Sequence, residues 1–140
     1  MPENQPLNQH ISFNLYKGSR LLQRMYRAYL DQWGITYLQY LVLICLWEHD
    51  GQNISELSQA LDLDSGTLSP VLKRMEKEEF VTRKHDRSDF RKIFFYLTNK
   101  AKKLENRAAR MHEETTQLIG FDEKDMNDLQ RIIGKIHPLS

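Results

Sequence analysis

A mostly α fold (α+β) is what this 140-residue sequence predicts, on three observations. Apolar residues recur at helical spacing through most of the chain. Residues that cap helices precede several of those stretches. Between residues 80 and 98 the composition shifts to β-branched and aromatic types, around one polar tip.

The first helix is expected over about Leu7 to Gln32, with Ile11, Leu15, Leu22, Met25 and Tyr29 on one face and Gly18 and Tyr26 near it. "WGIT" at 33 to 36 breaks it, and Thr36 is placed to cap the next helix. That second helix, Tyr37 to His49, is apolar nearly all round ("YLQYLVLICLWE"), as a helix buried on most sides should be. "HDGQN" reads as a turn. Asn53 with Glu56 three residues on forms a capping box and opens the short helix "ISELSQAL".

Another helix begins near Asp64 or Ser65 and runs through "SGTLSPVLKRMEKEE". Its inward stripe is Leu68, Val71/Leu72 and Met75, which leaves Thr67, Ser69, Lys73, Arg74 and Lys77 on or near the open face. Pro70 lacks a backbone donor, so a slightly irregular first turn is expected. "FVTRK" and "KIFFYLT" then form a hairpin around "HDRSDFR". Thr98 caps a long helix striped by Ala101, Leu104, Ala108, Met111, Thr115 and Leu118. A last helix starts at Asp122 and carries Met126, Leu129, Ile132/Ile133 and Ile136.

Composition narrows the function classes. The chain is 40% hydrophobic and 28% charged, ordinary for a soluble globular protein. No apolar run approaches the roughly 18 residues of a membrane span, and "MPENQPLNQH" is too polar for a signal peptide, so a cytoplasmic protein without a membrane partner is expected. A lone cysteine, Cys45, excludes an intrachain disulfide and a multi-cysteine zinc site. In "LVLICLW" it reads as an inert core thiol. The five histidines show no ligand spacing, and no phosphate loop or nucleophile–base set stands out, so neither an enzyme nor a cofactor is expected. The formal charge of +1 conceals a basic middle: residues 73–103 carry a net +6, and 104–140 a net −2. Such a patch suits a polyanion.

Short helix, tight turn, polar-faced helix and basic hairpin, in that order, are how a winged helix-turn-helix reads. A helix fits the DNA major groove and needs short hydroxyl and basic side chains to reach bases and phosphates. Ser65, Thr67, Ser69, Pro70, Lys73, Arg74 and Lys77 supply that set. An arginine at a hairpin tip suits the narrower, more negative minor groove. Arg87 and Arg91 fill that place, with Asp89 to orient an arginine. A plain solvated surface, or a helix-turn-helix module that binds proteins, would show much of the same pattern.

"ITYLQYLVLICLWEHDG", "LDSGTLSPVLKRMEKEEFVTRKHDRSDFRK" and "YLT" closely resemble the MarR family of bacterial transcription regulators, and within it the OhrR branch of one-cysteine organic-peroxide sensors. "LDSGTLSPVLKR" is the most specific part, followed by "TYLQYLVLICLWE" and the wing "DRSDFRK"; the likeness runs from about Leu7 to the last helix. The resemblance implies a homodimeric repressor on a near-palindromic double-stranded DNA operator. It assigns 7–32 and 98–138 to a helical dimerisation region and 33–97 to the DNA-binding lobe. The long striped end helices support a dimer independently, since a second copy would bury them. Half-sites would then lie about 34 Å apart.

In that branch the first helix carries a motif resembling "QLCFxLY", whose cysteine is the sensor. The matching residues here are "HISFNLY", so Ser12 stands in the cysteine's place. The resemblance also implies that tyrosines from both subunits donate to the reactive sulfur, and Tyr16, Tyr26 and Tyr37 match them. Peroxide would convert a thiolate there to a sulfenic acid and release the DNA. A serine is nearly isosteric but not readily oxidised. It is either a Cys→Ser replacement that holds the protein in its reduced form, the favoured reading, or a natural relative that kept the pocket and lost the switch. A rival trigger is a small phenolic or lipophilic ligand bound between the dimer helices and the lobes.

Overall fold

The computed structural model describes residues 3–136. A 3-10 turn at Leu7–Gln9 precedes six α-helices and three strands: α1 Ile11–Trp33, α2 Tyr37–Glu48, β1 Gln52–Asn53, α3 Ile54–Leu61, α4 Ser65–Lys77, β2 Val81–His85, β3 Ile93–Leu97, α5 Asn99–Ile119 and α6 Glu123–Ile133. The mostly α fold with one hairpin is as the sequence predicts. No described helix is long and apolar enough to cross a membrane.

Local chemistry sets the helix starts. Thr36 and Asn53 each accept a hydrogen bond from the backbone three residues on, and Gln39 and Glu56 answer, completing two capping boxes. Asp122 and Asp125 make a third ahead of α6. Asp64 caps α4 through Thr67 N at 2.6 Å, and Thr98 caps α5. Gly34, at φ 69°, ends α1 in the left-handed conformation that glycine tolerates.

The core lies around α2, whose Val42, Leu43 and Leu46 are fully buried. Leu57 of α3, Leu68, Leu72 and Met75 of α4, and Val81 and Phe95 of the sheet close on it. Ala101, Leu104, Ala108 and Met111 of α5 cover the other side. Trp47 donates its indole N–H to the Ala101 carbonyl at 3.0 Å, tying α2 to α5. Cys45 is buried, and burial first, then the Glu48 carboxylate, pushes its thiol up from the ordinary value.

The sheet order is β1-β3-β2, all antiparallel, with Gln52 opposite Phe95 and Val81 opposite Leu97. Strand β1 departs from the sequence reading, which placed these residues in a turn. It is held from both ends. Asp50 accepts Leu97 N at 2.9 Å, and the Gln52 amide donates to the Cys45 and His49 carbonyls at 2.8 and 2.7 Å. Between them Gly51 has φ 73°, and a Cβ there would fall 2.6 Å from the Tyr96 ring.

Other boundaries move. The first helix does not run unbroken from Leu7, because His10 is extended and separates the 3-10 turn from α1. At its far end α1 includes Trp33, so a division between 32 and 33 cuts a continuous helix. Helix α4 passes through Pro70 without interruption. Leu118 continues the α5 stripe in sequence but stands 80% exposed, beyond the reach of the lobe. Residues 137 and 138 of the expected dimerisation region lie outside the described residues.

Candidate nucleic-acid interface and sensor pocket

Helix α4 divides cleanly. Leu68, Leu72 and Met75 are buried, while Ser65, Thr67, Ser69, Pro70, Lys73, Arg74 and Lys77 are all exposed. The two sets alternate at helical spacing, so the buried stripe fixes the opposite face toward solvent. The turn into this helix is tight because Asp62 adopts a left-handed conformation, φ 54°, and closes α3. Hydrogen bonds from Thr67 hold the Asp64 carboxyl below its usual range, so the cap is charged at neutral pH.

The hairpin stands beside that face. Arg91 is held by Asp89, whose Oδ1 accepts from the Arg91 backbone N at 3.0 Å and from Nε at 3.3 Å. The guanidinium still projects, its side chain 94% exposed. Arg87 is exposed and forms no ion pair among the described residues. A recess of about 350 Å³ between helices and hairpin is lined by Ser55, Ser69, Arg83, Arg91 and Lys92, among others. One concave surface therefore joins Ser69 of α4 to Arg91 of the wing.

Three partners escaped the sequence reading. Glu78 takes Arg74 at 2.9 Å, so this cation is partly engaged within the chain. Arg83 reaches back to Glu76 of α4 at 3.1 Å and lies over the Phe95 ring, bracing the hairpin against the helix. Lys92 lines the recess. The basic window contained these residues, but only the packing of the hairpin against α4 shows that Arg83 turns toward Glu76.

The expected sensor residues fall into two groups. Ser12 and Tyr16 are exposed near the start of α1. Tyr26 and Tyr37 stack with ring centroids 6.0 Å apart, and Tyr40 meets both edge-on or tilted. Ser12 and Tyr26 are fourteen residues apart on α1, about 21 Å along the axis at 1.5 Å per residue. One chain does not bring them together. Burial raises the phenols of Tyr26 and Tyr37, with the neighbouring Tyr37 adding to Tyr26. Burial, then both neighbours, pushes Tyr40 up to about 12. All three are O–H donors at neutral pH.

A second cleft, about 500 Å³, is lined by Gln32, Trp33, Phe80, Lys100, Lys103, Leu104 and Arg107, where α1 and α5 meet the lobe. Lys100 sits over Phe80, 4.2 Å from the ring centroid.

The MarR family profile matches residues 35–93. An organic hydroperoxide resistance transcriptional regulator of Bacillus subtilis (strain 168) is 34% identical over 137 residues, spanning 98% of this chain and 91% of the relative. The HTH-type transcriptional regulator MgrA of Staphylococcus aureus is 29% identical, with 97% and 93% covered. Among solved structures, overoxidized AbfR bound to DNA superposes with a TM-score of 0.77 at 32% identity, over 91% of this chain and 90% of that one.

Proposed function

This chain belongs to the MarR family of DNA-binding transcriptional regulators, and from that premise we propose that it is a homodimeric repressor that grips its operator through α4 and the wing. Its relatives are regulators, not enzymes. The observation that carries the reading is the join between α4 and the hairpin. Ser65, Thr67, Ser69, Pro70, Lys73, Arg74 and Lys77 face outward beside an exposed arginine that Asp89 orders. The hydroxyls suit base edges, and the cations suit phosphates in the major groove. Arg91, with Arg87, suits the minor groove. A relative at 32% identity has been crystallised on DNA.

The dimer helices are α1, α5 and α6, and the lobe is residues 34–97. Met126, Leu129, Ile132, Ile133 and Ile136 form an exposed stripe that a second copy would cover. The dimer also completes the sensor. Ser12 and Tyr16 of one protomer meet Tyr26 and Tyr37 of its partner, which answers the separation along α1. With cysteine at position 12, the thiolate would attack a peroxide oxygen, the O–O bond would break, the sulfur would become a sulfenic acid, and the departing alkoxide would take a proton from water to leave as an alcohol. Serine cannot take that step, so the chain as it stands stays on DNA when an organic hydroperoxide is present.

The test selects an operator from a random duplex library and titrates it with and without cumene hydroperoxide, for this chain and for Ser12→Cys. The serine form should bind equally in both, and the cysteine form should let go under peroxide. A cysteine form that ignores peroxide would overturn the pocket assignment. The cleft at Trp33, Phe80 and Arg107 favours a second trigger, a small phenolic ligand between dimer helices and lobe, its ring on the aromatics and its oxygen at the cations.

A further inference from the structure

Twelve large apolar side chains stand exposed among the described residues. Eleven lie at or near the start of the chain, on α1, at the end of α5, or on and around α6, all on the side assigned to the dimer. The twelfth is Phe90, at the tip of the wing and 73% exposed. No element of the lobe explains it.

The ring is held firmly at its base. It stacks on His85 with centroids 5.1 Å apart and planes 27° from parallel. His85 Nδ1 lies 2.8 Å from the Phe90 carbonyl, and since a carbonyl only accepts, Nδ1 carries the proton. Asp86 N donates to the Lys92 carbonyl at 2.9 Å, and Lys92 N to the Asp89 carbonyl at 3.0 Å, closing the loop beneath. Arg87 and Arg91 stand exposed within three residues of Phe90, and Lys92 lines the recess beside Arg91, while Lys84 lies over the Tyr96 ring. The two acids of the tip are occupied: Asp86 accepts from the Ser88 hydroxyl and Asp89 holds Arg91. An anchored apolar end flanked by exposed arginines is complementary to a groove walled by phosphates and floored by stacked bases, not to an apolar protein face.

We propose that Phe90 is an apolar wedge that enters the minor groove beside Arg91 and reads the deformability of the base step beneath it. This rests on the DNA-binding reading given above. Apolar side chains that enter the minor groove push base steps apart, and the pyrimidine–purine steps TA and CA/TG open most easily. Arg91 then contributes charge, and Phe90 contributes preference for a particular kind of step at a position no hydrogen bond reads.

Duplexes selected from a random library by the unaltered chain supply the probe, labelled with 2-aminopurine at each position under the wing. Phe90→Ala should bind about tenfold more weakly with an unchanged salt slope, and should lose the preference for a pyrimidine–purine step. Phe90→Leu should keep most of that preference. Unstacking, read as 2-aminopurine brightening, should accompany the unaltered chain and Phe90→Leu but not Phe90→Ala. Arg91→Ala, by contrast, should lower the salt slope by about 1. Phe90→Ala with undiminished affinity and step preference would overturn the wedge. So would a fall in its salt slope matching that of Arg91→Ala, since the ring would then merely support the arginine. If the unaltered chain selects no duplex at all, the regulator reading fails and the wedge with it.

Discussion

Asp89 grips Arg91 twice, its Oδ1 accepting from the backbone N and from Nε, and so restrains a guanidinium that would otherwise sample many rotamers. On the proposed reading, an arginine ordered in this way would enter a groove with little further loss of side-chain freedom.

Arg91→Ala should therefore weaken operator binding tenfold or more, about 1.4 kcal/mol or above, and leave the dimer intact. Asp89→Ala should cost less and keep the salt slope, because the charge remains. Anisotropy titrations at several salt concentrations measure both, and unchanged affinity in Arg91→Ala would remove the wing from the interface.

Acid should act on the Asp64 cap. The folded-state pKa of this carboxyl is depressed, so its contribution to stability is full above the unfolded-state value and fades as pH falls through the folded-state value. Asp64→Ala should melt lower than the unaltered chain at pH 7, with the gap closing in acid. Asp64→Asn keeps a capping oxygen that does not titrate, and should lose less on acidification. Melting followed by circular dichroism between pH 7 and pH 2 shows the difference.

Cys45 should behave as an inert thiol. It is buried, and its pKa is raised, so little thiolate is presented at neutral pH. A disulfide reagent should label it slowly in the native protein and fully in guanidinium. Rapid native labelling would make it a rival redox site to position 12.

The α6 stripe should hold two copies together. Ile132→Asp with Ile133→Asp places two charges where a partner's apolar face would pack. Sedimentation should give a mass near the 16.7 kDa of one chain instead of twice that, and operator affinity should fall with it. A dimer that survives would move the interface elsewhere.

Much of this was legible because its causes are local. Thr36, Asn53, Asp64, Thr98 and Asp122 each bond a backbone N–H three residues on, and a sequence displays that spacing directly. The α4 stripe was readable for the same reason. What could not be read depends on residues far apart in the chain. Strand β1 exists because Gln52 and Asn53 pair with Phe95 and Phe94 some forty residues on. The bracing of Arg83 by Glu76 needed the angle between hairpin and helix. Tyr26 and Tyr37 suggested a pocket around Ser12, but only the straight run of α1 revealed how far from it they lie in one chain.

The cap at Asp64 has a consequence for how this surface could be rewritten. Adjacent helix residues point about 100° apart, so one step of slippage would turn Leu68 and Leu72 outward. Asp64 fixes where α4 begins, and the buried Leu68, Leu72 and Met75 fix the rotational phase of the residues between them. The outward positions 65, 69, 73 and 77 thus form a replaceable alphabet on a fixed carrier. Their side chains can be exchanged while the buried half keeps its place, and on the proposed reading such exchanges would change the DNA sequence bound.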